Sequence, residues 1–162
     1  MVKISLQIKV QLENVEEIRG NADEEFRWYL KLKCTSCGEI NNSWQYVCLA
    51  ESLETKGGRG SASMVQKCKI CKRENHLDIL KEYVKSYGAE NDGTFVGVVA
   101  FECRGLEPID FEIRSGWDVC CGSNKIFEDV DLSEKEWYDY NDQNNDSVSI
   151  TEIEHQFIKL KK

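Results

Sequence analysis

Hydrophobic residues recur at every second position over much of the chain. From Val2 to Leu12 all even positions (Val2, Ile4, Leu6, Ile8, Val10, Leu12) are apolar, while Lys3, Ser5, Gln7, Lys9 and Gln11 take the odd ones. Side chains of a strand alternate between its faces, so this pattern predicts a strand with one buried and one solvated face. The same phase returns at Phe26, Trp28, Leu30 and Leu32, with Arg27, Lys31 and Lys33 opposite. Further strands are predicted at Trp44 to Leu49, Ser61 to Lys67, Leu77 to Val84, Phe95 to Cys103, Ile109 to Ile113 and Val148 to Ile158. Phe95 to Phe101 (FVGVVAF) is apolar throughout, which predicts a central strand covered on both faces. No window keeps i, i+3, i+4, i+7 spacing for three turns. Ser133-Glu134-Lys135-Glu136 has the form of a capping box and predicts one or two helical turns before Trp137. An all-β, antiparallel architecture follows, because no helices are available as crossovers.

The strand pattern carries a faint repeat. Trp28 to Cys34 and Gly97 to Cys103 both end in a cysteine before a polar turn, and each follows an amphipathic strand, residues 3–12 and 76–84. Each half later holds a serine-spaced strand, SASMVQ at 61–66 and SVSITE at 147–152. The repeat reads either as a duplication or as the ordinary likeness of β-proteins. A duplication would place a boundary near residues 72–76, dividing the chain into a metal-binding lobe (1–75) and a second lobe without metal (76–162), or into one compact unit. In that alignment Leu106 stands where Cys37 stands in the first half.

Composition narrows the class. The 162 residues suffice for a hydrophobic core, and 41% hydrophobic content with 10% aromatics is globular. A net charge of −8 speaks against a general nucleic-acid binder, which needs clustered Lys and Arg. Eight acidic residues lie between Glu128 and Asp146 against Lys135 alone. That stretch is expected to be a solvated loop, with a protein-docking surface as the alternative. The opening MVKISLQIKV lacks the apolar run of a signal peptide, and no segment approaches the roughly 18 apolar residues of a membrane helix. The expectation is a cytoplasmic or nuclear protein, off the membrane and monomeric, whose thiols stay reduced unless metal holds them.

Eight cysteines are the unusual feature. Cys34-Thr35-Ser36-Cys37 and Cys68-Lys69-Ile70-Cys71 form two C-x2-C pairs separated by 30 residues. Two residues between thiolates let both sulfurs of a tight turn face one ion, and two such turns make a tetrahedral Zn2+ shell. Gly38 follows the first pair, where a positive φ turns backbone N–H groups toward sulfur. Lys72 holds the matching place after the second pair. Lys31, Lys33, Lys67, Lys69, Lys72 and Arg73 lie within three residues of a ligand and are expected to offset the negative charge of four thiolates. A redox dithiol and unliganded core cysteines are the rival readings. Four cysteines close the shell, so the zinc is expected to be structural rather than catalytic.

The remaining candidates carry less. His76 and His155 sit in strand contexts without an HExxH pattern and are expected to be surface or cross-strand residues. Cys48, alternating with Trp44 and Tyr46, is expected in the core. Cys120 and Cys121 are adjacent and expected to be structural, and Cys103, beside Arg104, is the cysteine best placed for a lowered pKa. Lys56 to Ser61 is glycine-rich but lacks the GxxxxGK[ST] order and a following helix, so a turn is expected there.

The segments FRWYLK (26–31), KGGRGSASMVQKC (56–68) and FECRGLEP (101–108) resemble the eukaryotic CXXC-motif-containing zinc-binding protein family. The resemblance spans essentially the whole chain. It implies one zinc on Cys34, Cys37, Cys68 and Cys71, two similar antiparallel β-sandwich-like halves, no second metal, and no enzymatic activity. The expected function is therefore a non-enzymatic zinc-binding protein, serving as a protein-binding or adaptor module for an unidentified partner. Two alternatives remain: a thiol redox enzyme like the type B methionine sulfoxide reductases, with Cys103 as the reactive thiol, and a metal-handling protein that exchanges zinc or copper through its CxxC thiolates.

Overall fold

The computed structural model describes residues 2–20, 25–50, 53–54 and 61–161. Among them the chain forms β1 (Val2–Glu13), β2 (Val15–Gly20), β3 (Trp28–Cys34), β4 (Ile40–Val47), β5 (Leu53–Glu54), β6 (Ser61–Ala62), β7 (Met64–Lys67), β8 (Glu74–Ile79) and β9 (Tyr87–Gly88). The later strands are β10 (Val96–Arg104), β11 (Leu106–Glu112), β12 (Trp117–Cys121), β13 (Ile126–Val130), β14 (Trp137–Asn141) and β15 (Asp146–Lys159). Among the described residues the helical elements are three single 3-10 turns. No described helix is long and apolar enough to cross a membrane. The glycine-rich residues 56–60 lie outside the described residues.

The alternation read from the sequence organises the core. On β1, Ile4, Leu6, Ile8 and Val10 are buried, and on β3 so are Trp28, Leu30, Leu32 and Cys34. The apolar strand β10 is interior to a six-stranded sheet of order β14-β15-β1-β10-β8-β7, with Val98, Val99, Ala100 and Phe101 all buried. A three-stranded sheet (β11-β3-β4), a four-stranded sheet (β13-β12-β2-β9) and a two-stranded ribbon (β5-β6) complete the antiparallel, all-β architecture. Trp28 and Trp117 meet edge to face at 6.0 Å, and Phe26 packs on both rings.

Each large sheet combines strands from both sides of residue 75. The two serine-spaced strands show how: β7 pairs with β8, and β15 pairs with β1. The serine-spaced strand of each half thus lies against the amphipathic strand of the other, and the segments 1–75 and 76–162 exchange strands.

Several local expectations change. Ser133 to Glu136 is a turn, not a helix: the Ser133 N–H donates to Asp131 Oδ1 at 2.9 Å, the Lys135 N–H to Leu132 O at 2.9 Å, and Lys135 has a φ of 62°. A short polar side chain here competes with helical pairing by bonding the backbone locally. The acidic stretch is not a simple loop, because it contains the end of β13 and all of β14. Strand β8 stops at Ile79 and gives way to a 3-10 turn at Lys81–Tyr83. Trp44 and Tyr46 face outward, where Lys31 and Arg27 cover their rings, while Val47 points in; Cys48 is buried just past the strand end rather than in their phase.

Candidate metal centre

Alternation on two strands delivers the first and third cysteines. The phase that buries Leu30 and Leu32 turns Cys34 inward at the end of β3, and Cys68, directly after β7, is buried likewise. Each opens an equivalent hairpin. The Gly38 N–H donates to Cys34 O at 2.8 Å and the Cys34 N–H to Glu39 O at 2.8 Å. In the second hairpin the Lys72 N–H donates to Cys68 O at 3.0 Å and the Cys68 N–H to Arg73 O at 2.9 Å. Gly38 (φ 80°) and Lys72 (φ 66°) occupy the same left-handed position, so the second turn is built like the first with a strained side chain in the glycine place.

The two hairpins face each other. Cys34 Sγ lies 3.7 Å from Cys71 Sγ, Cys37 Sγ lies 3.6 Å from Cys68 Sγ, and all four sulfurs fall within 4.8 Å of one another. A tetrahedron with Zn–S bonds of about 2.3 Å has sulfur–sulfur edges of about 3.8 Å. The four thiols therefore fit a zinc ion in size, number and softness. Cys34 and Cys68 are buried, whereas Cys37 and Cys71 are exposed.

Backbone N–H groups charge the shell. The N–H of Cys37, with that of Ser36, draws the Cys34 thiol down to about 6, and the N–H groups of Cys71 and Ile70 lower Cys68. For Cys37 the Glu39 N–H pulls down, yet partial desolvation and hydrogen bonds with Cys68, Cys34 and Cys71 carry it up to about 11. Four neighbouring sulfurs cannot all ionise without a cation among them.

A residue that sequence reasoning passed over completes the surroundings. On β8, Leu77 and Ile79 point inward, and Asn75 shares their phase at 1% exposure. Its Nδ2 donates to Cys34 Sγ at 3.5 Å. Gly105 (φ 80°) lies so close that a Cβ there would run into the Asn75 amide, and its carbonyl accepts the Thr35 N–H at 2.9 Å. The signal was present: a polar residue on the apolar phase of a strand, seven positions after a metal-spaced cysteine. Arg73 adds a tie between the hairpins, donating to Ser36 Oγ at 2.9 Å. A cavity of about 200 Å3 opens beside the sulfurs, with Leu32 and Leu106 among the residues that line it.

The basic residues are used differently than expected. Lys31 sits over the Trp44 ring at 4.7 Å and Lys33 pairs with Glu107 at 3.7 Å, because both stand on the outward face of β3. Cys103 is buried, and its thiol is pushed up to about 12 by burial first and then by Glu107 and Glu102. The expected lowering by Arg104 fails because neighbours on a strand face opposite sides, and Arg104 is exposed. Cys121 is buried and pushed up to about 11 by burial, and Cys120, half-buried, is also raised. His76 contacts Glu74 at 3.1 Å and His155 contacts Asp110 at 3.0 Å, and neither joins the four-sulfur cluster.

Comparison with known proteins agrees with this geometry. A family model described as "CXXC motif containing zinc binding protein, eukaryotic" matches residues 5–158. Over 160 residues the chain is 52% identical to the CXXC motif containing zinc binding protein of Rattus norvegicus, covering 98% of this chain and 99% of the relative. The Homo sapiens protein of the same name is 51% identical over the same shares. Among solved structures, the crystal structure of C1orf123 matches with a TM-score of 0.93 at 51% identity, over 98% of this chain and 99% of that one. A hypothetical protein from Plasmodium falciparum matches at 0.89 and 26% identity, over 98% and 100%. With its paired CxxC hairpins and a match over nearly its whole length, the chain belongs to the eukaryotic CXXC-motif-containing zinc-binding protein family.

Proposed function

We propose that Cys34, Cys37, Cys68 and Cys71 hold one structural Zn2+ and that the protein works without catalysis, as a protein-binding or adaptor module in the cytoplasm or nucleus. The observation that carries the reading is the four-sulfur cluster at tetrahedral spacing, half buried between two hairpins that belong to different sheets. Four protein ligands leave no open position for a reacting water. The ion joins β3 of the three-stranded sheet to β7 and β8 of the six-stranded one, so its binding free energy is folding free energy. Cys103, the thiol of the redox alternative, is buried and protonated at neutral pH, which favours the non-enzymatic reading. Chelation tests the proposal: one zinc per chain should be recovered, and its removal should lower the melting temperature by 10 °C or more, on the order of 4 kcal/mol. An unchanged melting temperature would contradict a structural role.

A second reading, exchange of zinc or copper with a thiol-bearing partner, draws on the exposure of Cys37 and Cys71. Two exposed sulfurs give an incoming thiolate a side from which to displace the shell one ligand at a time. Competition with a chelator separates the readings: slow release that is unaffected by added dithiol supports the structural ion, and release accelerated in proportion to dithiol supports exchange.

A further inference from the structure

The zinc face takes up half of the cysteines, but the far end of the six-stranded sheet has no assigned use. Strand β14 is its outermost strand and pairs with β15 alone among the described residues. Tyr138 (63% exposed) and Tyr140 (49% exposed) alternate along it on one face, opposite Ser149 and Ser147 of β15. The Tyr140 N–H donates to Asp139 Oδ1 at 2.7 Å. Antiparallel pairing alternates along a strand, so the main-chain groups of Tyr138 and Tyr140 belong to the free side of β14. Trp137, in contact with Phe127 at 5.1 Å, anchors the strand from the other face, and Asn141 fixes its end by donating to Gly122 O at 2.9 Å. The edge is thus held firm, and on its outer side no described strand pairs; the Tyr140 N–H is held by Asp139 Oδ1, which an incoming carbonyl would displace.

We propose that this edge is a docking surface for an extended, Lys/Arg-rich segment of a partner protein, which adds to β14 as a further strand. The proposal rests on the binding-module reading and names its surface. Charge complementarity selects the occupant. Glu128, Asp129, Asp131, Glu134, Glu136, Asp139, Asp142 and Asp146 lie in and beside the strand along the chain, Lys135 is the one basic residue among them, and none of the eight forms an ion pair among the described residues. A second copy of the chain brings the same charges to the same edge and is repelled, which is how charged edges avoid self-pairing. A cationic strand is attracted by the same field. Side chains of an added strand alternate, so Lys or Arg at every second position reaches the Tyr138 and Tyr140 rings for cation–π contact, with main-chain pairing alongside.

The test titrates the isotope-labelled, zinc-loaded protein with a nine-residue peptide of alternating Lys and Thr, read by amide chemical shifts. Saturable shifts centred on Trp137–Asn141 are expected, with affinity at least 10-fold weaker at 200 mM than at 50 mM salt, because exposed charges are screened over about a Debye length. Tyr138→Ala with Tyr140→Ala should weaken binding about 10-fold, and Asp139→Lys should do so as well. Zinc content and melting temperature, measured on the same samples, should stay unchanged, which separates a failed edge from a lost fold or metal. Saturable binding mapped elsewhere would overturn the edge assignment while leaving the binding-module reading intact. Absence of saturable binding, or affinity indifferent to all three substitutions, would overturn it too.

Discussion

The hairpin cysteines and the strand cysteines share this chain, and buried members of the two groups part company: Cys34 and Cys68 are pulled down, whereas Cys103 and Cys121 are pushed up. Cys34, Cys37, Cys68 and Cys71 sit in hairpin turns; there backbone N–H groups draw the buried Cys34 down to about 6 and lower Cys68, while at the exposed Cys37 desolvation and its sulfur neighbours outweigh the Glu39 N–H and carry it up to about 11. Cys103, Cys120 and Cys121 sit within strands, where burial carries Cys103 to about 12 and Cys121 to about 11. In a strand interior the N–H groups are spent on the neighbouring strand and none is left for sulfur. In a C-x2-C turn they are free, and sulfur takes them. The backbone, more than nearby Lys or Arg, separates the lowered Cys34 and Cys68 from the raised Cys103 here.

That contrast can be broken at several points. Cys34→Ser should remove zinc and cost about 4 kcal/mol or more, visible as metal loss and a melting temperature lower by 10 °C or more. Asn75→Ala removes the bond to the Cys34 sulfur; about 1 to 3 kcal/mol and a 10- to 100-fold loss of zinc affinity are expected, read by melting and chelator competition. Cys103→Ala should cost about 1 to 2 kcal/mol and leave zinc content unchanged, because it removes packing and no ligand. Lys72→Gly relaxes the left-handed turn of the second hairpin and should stabilise the protein by about 0.5 to 1 kcal/mol with zinc retained.

Alkaline pH sharpens the same comparison. Cys103 and Cys121 keep their protons in the fold to higher pH than in the unfolded chain, where a thiol titrates near 9.0. The folded state therefore binds more protons above that value. The stability contributed by these thiols is full below pH 9 and is lost as pH rises toward about 11 for Cys121 and about 12 for Cys103. Cys103→Ala should flatten the upper part of that decline in a melting-temperature series from pH 8 to 11.

Much of this was legible from alternation and spacing. The phases of β1 and β3 foretold most of their buried residues down to Cys34, although Val2 is exposed at the start of β1 and Ser5 is buried on its other face, and the all-apolar run foretold the interior position of β10. The paired CxxC motifs named the four sulfurs that the fold brings together. Strands β2, β12, β13 and β14 escaped notice because they are only five or six residues long and each carries at least one acidic residue, and tertiary pairing rather than propensity makes them strands. Asn75 escaped because a polar residue before Leu77 looks like a strand end until the partner sulfur is placed beside it. The acidic stretch read as a loop because charge hid the Trp137, Tyr138 and Tyr140 that build an edge strand. The exchange of β7 and β15 between halves left no local mark, since pairing partners are not written in a strand's own sequence.

The central claim, one closed zinc shell of four protein sulfurs, is tested most directly by zinc-edge X-ray absorption on the purified, zinc-quantified protein. The account predicts one zinc per chain with a single shell of four sulfur scatterers at about 2.3 Å and no nitrogen or oxygen. A shell with an oxygen or nitrogen ligand, or with fewer than four sulfurs, would contradict it.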